Sequence, residues 1–244
     1  MTPIGRTRAR GIETLSLDSV DTRNALSAAL VDGLADALAE CAADPGVRAV
    51  VLTHTGGTFC AGADLRDPPQ PDTLVALLRQ LVELDKPVVA RITGHVRAGG
   101  LGLLAACDIA AAVTEATFAF TEVRIAVAPA VISLPVIPRA DPRALARYYL
   151  TGERFDAAEA TRIGLLTLHG DDVDAALAPV LDGLRRSSPQ GLAATKRLLT
   201  ARVLETFDRA AADLTALSAR LFSSAQAREG MTAFLERRDA PWVL

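Results

Sequence analysis

The chain has 244 residues, half of them apolar and 23% charged, with a formal net charge of −3. That is enough chain for one sizeable core, and the composition is that of a globular protein and not of a disordered one. No basic stripe runs through it, which speaks against a nucleic-acid surface, and no stretch approaches 18 uncharged apolar residues, which excludes a membrane-spanning helix.

Aromatics make up only 4% of the residues, so Ala, Leu and Val must fill most of the core. Lys86 and Lys196 are the only lysines, which reads as the codon bias of a GC-rich genome. Cys41, Cys60 and Cys107 are odd in number and far apart, supporting neither a disulfide framework nor a zinc site. Arg6, Arg8 and Arg10 precede no apolar segment of signal-peptide type, so a cytoplasmic location is expected.

The first strand expected from the pattern is 12–17, where apolar and polar residues roughly alternate. Ser27 opens a helix in which Leu30, Val31, Leu34, Leu38 and Cys41 recur at helical spacing, and Asp44-Pro45-Gly46 stops it. Residues 47–53 (VRAVVLT) form a short β-branched run that reads as a buried strand, followed by a Gly/Pro-rich loop over 54–73. Helical periodicity covers 73–84, a second buried strand 87–93, a helix 99–107, and short strands 109–113 and 117–120. Strand–helix alternation of this kind favours an α/β fold. From Ser188 the pattern changes: Ser188-Pro189 is an N-cap followed by Pro at the first helical position, and Ser224 starts another helix toward residue 238. The expected division is an α/β core over 1–187 and a helical region over 188–244 that covers the pocket and serves oligomerisation.

Two loops carry the chemistry. Phe59-Cys60-Ala61-Gly62-Ala63-Asp64 follows a buried strand, where open α/β sheets place ligands. Its small residues allow close approach to the backbone, and Gly62 can take φ > 0; a plain tight turn fits the same residues. Gly94-His95-Val96-Arg97-Ala98-Gly99-Gly100-Leu101-Gly102 likewise follows a strand and opens a helix. Glycines there expose free N–H groups which, with the helix dipole, favour negative charge on a ligand. The segment matches neither dinucleotide nor P-loop fingerprint, and close helix-on-strand packing is the alternative.

Together, and with Asp21-Thr22-Arg23-Asn24-Ala25-Leu26, residues 118–129 (FAFTEVRIAVAP) and the segment from Leu150-Thr151-Gly152-Glu153-Arg154-Phe155-Asp156-Ala157 to Gly164-Leu165, these loops resemble the crotonase, or enoyl-CoA hydratase/isomerase, family. The resemblance covers nearly the whole chain and is weakest in its last 50 residues. It implies a spiral of ββα units with a helical C-terminal region, assembled as a homotrimer or homohexamer. It also implies an acyl-CoA thioester substrate, with CoA arriving as part of the substrate, and no metal or redox cofactor.

Carried over by position, the resemblance places oxyanion-hole donors on the backbone N–H groups of Ala63 and Gly99 and a catalytic carboxylate on Glu122. It assigns substrate contacts to Arg23, Ala25, Ala61, Ala63, Leu65, Gly99 and Gly102. Hydratases of the family usually carry a second glutamate where this chain has Gly102, which is the main departure. Hydration of a 2-enoyl-CoA, double-bond isomerisation by the single Glu122, and a binding paralogue without turnover all stay open. Glu-Val-Arg with Ala-Pro-Ala-Val-Ile resembles methylglutaconyl-CoA-type hydratases and puts the hydratase ahead. Asp64 is expected to bond N–H groups of its own turn and Asp108 to cap the chain after the helix. Arg97 and Arg124 read as solvated, with the acyl end of the pocket as their other possible place. Cys60 and Cys107 read as buried packing residues, and His54 and His95 as isolated.

Overall fold

The computed structural model describes residues 3–244. In chain order, β1 (Ile4–Ala9) and β2 (Ile12–Leu17) form a hairpin, followed by α1 (Ala28–Ala43). The next repeat is β3 (Ala49–His54), β4 (Thr58–Cys60) and α2 (Pro71–Glu83), and the one after it β5 (Val88–Ile92), β6 (His95–Arg97) and α3 (Gly99–Ala106). Then come β7 (Ile109–Val113), β8 (Thr117–Ala119), α4 (Ser133–Val136) and α5 (Pro142–Thr151). The last elements are β9 (Phe155–Asp156), α6 (Ala157–Arg162), β10 (Leu168–Gly170), α7 (Val173–Arg186), α8 (Pro189–Phe222) and α9 (Ala225–Glu236).

After the β1–β2 hairpin, which lies wholly in one sheet, the pairs β3/β4, β5/β6 and β7/β8 each give one strand to each of two sheets. The larger sheet runs β1-β2-β3-β5-β7-β10 and the smaller β4-β6-β8-β9. All neighbours are parallel except β1–β2 and β8–β9. This is the spiral of ββα units that the resemblance implies. The β3 run AVVLTH is buried throughout, as a strand covered on both faces must be. Val50 and Leu52 enter the main core, while Ala49 and Val51 join Val89 and Ala111 under Val173 and Leu177 of α7.

The helix after Ser27 has the expected cap: the Ser27 hydroxyl accepts from the Leu30 N–H at 3.2 Å. Ser188 and Ser224 cap α8 and α9 in the same way. The expected loop 54–73 contains β4, whose three residues are too few to show a period. β1, β6, β9 and β10 escaped sequence reading for the same reason or, in β1, because its outward face is Arg6 and Arg8. Beyond Gly170 the described residues hold helices alone, so the strand-free part starts with α7, ahead of residue 188. Val203 and Phe207 of α8 lie in the same core as the sheet residues. No helix among the described residues is long and apolar enough to cross a membrane.

Candidate active site

The segment before α1 is zipped to the loop after β4. Leu26 donates its N–H to Gly62 O at 2.7 Å and accepts from Asp64 N at 2.9 Å, and Ala61 N donates to Arg23 O at 3.1 Å. Along an extended segment successive peptide groups face opposite ways. With Gly62 and Asp64 turned to Leu26, the Ala63 N–H points away from it. Buried Asn24 holds this arrangement by donating to Thr55 O and Thr58 O at 3.0 and 2.8 Å.

Across from Ala63 lies the start of α3. Gly99 is the first helical residue, so its N–H has no partner within the helix. Ala98 before it sits at φ 45, ψ −119, a conformation rare for a residue with a Cβ. It is pinned by its N–H to Ala119 O (3.0 Å) and by Leu101 N to its carbonyl (2.9 Å). The two loops touch: a Cβ on Gly99 would stand 3.7 Å from Ala63 N. Gly62 has φ +98, and a Cβ there would lie 2.8 Å from the Ala98 Cβ, so this position needs glycine twice over. Among the described residues neither the Ala63 nor the Gly99 N–H donates to a backbone carbonyl. Both residues line one cavity of about 640 Å³.

Glu122 lies on the wall of the same cavity, in a single 3-10 turn (Glu122–Ile125) after β8. The turn is closed by Ala126 at φ 59 and covered by α9, where Gly230 comes so near that a Cβ would be 2.8 Å from the Ile125 backbone. Glu122 is 8% exposed, and its Oε2 has no hydrogen-bond partner. Burial lifts its carboxyl from 4.5 to about 7, against the weaker opposing influence of its own backbone N–H. A carboxyl poised there can both take and give a proton near neutral pH.

Of the residues predicted from sequence, Arg23, Ala61, Ala63, Leu65, Gly99 and Glu122 line the cavity. Ala25 and Gly102 do not. At Gly102 the cause is steric: a Cβ would meet Ile132 Cγ2 at 2.6 Å and Ile132 Cβ at 2.9 Å, so Ile132 seals this helix position off. A glutamate at 102 alone would therefore meet Ile132. Arg97 and Arg124 both line the cavity, and Arg97 is half-buried, not solvated. Asp64 accepts from Arg66 N at 3.0 Å, as a turn residue. Asp108 accepts from Val88 N at 2.8 Å and also pairs with Lys196.

The remaining candidates are structural. His54 is buried and its Nε2 accepts from Thr93 N at 3.0 Å, while His95 Nδ1 meets Thr117 Oγ1 at 3.0 Å. All three cysteines are buried and unpaired, and burial pushes the Cys60 and Cys107 thiols up to about 12. Sequence reading missed Ile132 and Arg154 on the cavity wall. Arg154 could have been found, because it stands inside the Leu150–Ala157 segment that carried the resemblance. Ile132 could not, since its role depends on a contact with Gly102 across the fold.

Comparison with known proteins identifies the family and its fold. The sequence model of the Enoyl-CoA hydratase/isomerase family matches residues 7–243. An enoyl-CoA hydratase from Mycobacterium avium of known structure superposes with a TM-score of 0.93 at 50% identity, over 100% of both chains. A carnitinyl-CoA hydratase from the same species gives 0.88 at 26% identity, over 99% of this chain and 98% of that one. The mitochondrial methylglutaconyl-CoA hydratase of Rattus norvegicus is 30% identical, over 94% of this chain and 78% of that protein. The chain is therefore an enzyme of the enoyl-CoA hydratase/isomerase, or crotonase, family.

Proposed function

We propose that this enzyme is a hydratase-type lyase for a 2-enoyl-CoA thioester. The thioester oxygen takes the two unused N–H groups of Ala63 and Gly99, and Glu122 handles the proton. The observation that carries the reading is the buried carboxyl of Glu122, its Oε2 without a partner, on the wall of the same cavity as those two donors. Paired N–H donors stabilise the enolate charge, each typically worth about 10²–10³ in rate. One carboxylate balances the reaction. Ionised Glu122 removes a proton from water as the oxygen bonds to C3, the C2=C3 electrons move toward the thioester, and the same proton is then returned to C2.

CoA enters as part of the substrate, so the reading asks for no metal or redox cofactor. It also takes the enzyme to be cytoplasmic and a trimer or a pair of trimers. Exposed Leu198 and Leu199 on α8 and Phe234 and Leu235 on α9 are apolar surface that such an assembly would cover. In this proposal the helical region from residue 188 both lines the pocket, through Phe222 and Phe234, and contacts the neighbouring subunits.

A second reading has its own observation. Ile132 fills the space over Gly102, leaving Glu122 as the sole acidic side chain among the described residues of the cavity wall. Double-bond isomerisation needs one base that moves a proton between C4 and C2. The test is a panel of 2-enoyl- and 3-enoyl-CoA thioesters followed for water addition and for bond migration. Hydration as the faster reaction supports the proposal, migration alone replaces it with the isomerase, and turnover of neither leaves a binding protein.

A further inference from the structure

Among the described residues four arginines line the cavity, Arg23, Arg97, Arg124 and Arg154, against the single acid Glu122. None of them joins a salt bridge among the described residues. Arg23 belongs to the segment zipped to Ala61, on the side of the first loop. The other three share the cavity wall with Glu122: Arg97 stands two residues before Gly99 in the chain, Arg124 two residues after Glu122, and the charge of Arg154 is felt by Arg97. Gly152 backs the group, since a Cβ there would be 2.8 Å from Arg124 Nε.

Arg97 is the informative member. Its Nη1 donates to Val96 O at 2.9 Å and to Thr117 O at 2.5 Å, and its Nη2 to Thr117 Oγ1 at 2.7 Å. Three of the five N–H groups of a guanidinium are thus used, and two remain, the Nε–H among them. All its partners are neutral. Burial, and then repulsion from Arg154, pulls the guanidinium down to about 10, so it is still charged at pH 7. A half-buried cation beside a second cation, in a largely apolar cavity, is a costly arrangement that an anion would relieve.

We propose that the acyl group this cavity selects bears a free carboxylate of its own, seated against Arg97, Arg124 and Arg154, so that the preferred substrates are mono-CoA thioesters of dicarboxylic acids. The inference rests on the acyl-CoA reading above and deepens it. The planar fork of arginine suits a carboxylate in a way that lysine does not. The shared cavity wall suits one too: the arginines line the same cavity as Ala63, Gly99 and Glu122, where the proposed reading seats the acyl group.

The test compares binding of glutaryl-CoA and of hexanoyl-CoA, similar in length and neither able to turn over, to the intact protein by calorimetry. Glutaryl-CoA should bind at least about tenfold more tightly. Arg97→Met and, separately, Arg154→Met should each shrink that ratio several-fold, and Arg97→Lys should restore part of it. Arg154 is exposed, so its variant keeps the test open should Arg97→Met fail to fold. Equal affinities in the wild type would overturn the inference while leaving the acyl-CoA reading intact. Variants that weaken both ligands alike would also overturn it, assigning the arginines to the CoA phosphates. If neither thioester binds the wild-type protein, the acyl-CoA reading falls and the inference with it.

Discussion

Gly102 and Ile132 are packed so closely that a methyl group on the first would stand 2.6 Å from Cγ2 of the second. The place where a second carboxylate could enter from α3 is therefore filled from the segment that precedes α4. Gly102→Ala should destabilise the fold by about 1–3 kcal/mol through overpacking, read as a lowered urea midpoint with unchanged slope. Gly102→Glu alone should fold worse still. Gly102→Glu with Ile132→Gly opens the space, and hydration should then rise relative to isomerisation. A stable, unaltered Gly102→Glu single variant would contradict this packing.

Glu122 governs both activity and stability through one lifted carboxyl. Acting as a base, it must be ionised, so kcat/KM should climb with pH and level off above about 7. Glu122→Gln should lose about 10²–10⁴ in turnover with thioester affinity nearly unchanged. The stability effect has the opposite sign. Between 4.5 and about 7 the unfolded chain ionises this group while the folded protein keeps it protonated, so stability falls as pH rises through that window. The loss is up to about 3 kcal/mol. Glu122→Gln should remove that slope and be the more stable form at pH 8. A Gln variant with wild-type turnover, or with the same pH slope, would remove Glu122 from its role.

The contact between the two loops can be measured as a coupling energy. Gly62→Ala forces a side chain onto φ +98 and against the Ala98 Cβ at 2.8 Å. It should cost about 2–4 kcal/mol and lower kcat/KM, because it displaces the Ala63 N–H from that of Gly99. Ala98→Gly frees its own strained φ of 45 and removes the opposing methyl. The double variant should be less destabilised than the sum of the two singles by about 1 kcal/mol or more. Strict additivity would mean that the loops do not press on each other.

The legible parts of the protein were those whose signal is local. Ser27, Ser188 and Ser224 announced three helices because an N-cap is a local hydrogen bond. The buried runs at β3, β5 and β7 stood out because strands covered on both faces are mostly apolar, with Arg91 the charged exception in β5. Ala63, Gly99 and Glu122 were placed on one cavity by the order of motifs, not by any property of each alone. What stayed hidden is what distant segments do to one another. Ile132 is an ordinary apolar residue until it meets Gly102, and Arg97 looks like any surface arginine until Thr117 takes two of its five donors. Lys196 carries no local signal, since the scarcity of lysine reads only as codon bias, yet it is buried.

That lysine gives the last prediction. Lys196 Nζ lies 2.8 Å from Asp108 Oδ2, 2.9 Å from Leu81 O and 3.1 Å from Lys86 O, so all three ammonium hydrogens have acceptors. Asp108 Oδ2 in turn accepts from Val88 N at 2.8 Å. The pair joins α8 to the end of α2 and to the start of β5. Burial pulls the ammonium below its ordinary value, while Asp108 acts against that; with three acceptors in reach, the charged form is the one that fits. Replacing a buried pair by apolar groups can be nearly neutral, but removing one partner strands the other. Lys196→Met should therefore cost about 3–5 kcal/mol in urea unfolding. Adding Asp108→Asn should recover part of the loss, since the amide oxygen still accepts from Val88 N without carrying a buried charge. Activity per folded molecule should stay near that of the wild type, because neither residue lines the cavity of Glu122. A Lys196→Met protein within about 1 kcal/mol of the wild type would reduce the pair to a bystander.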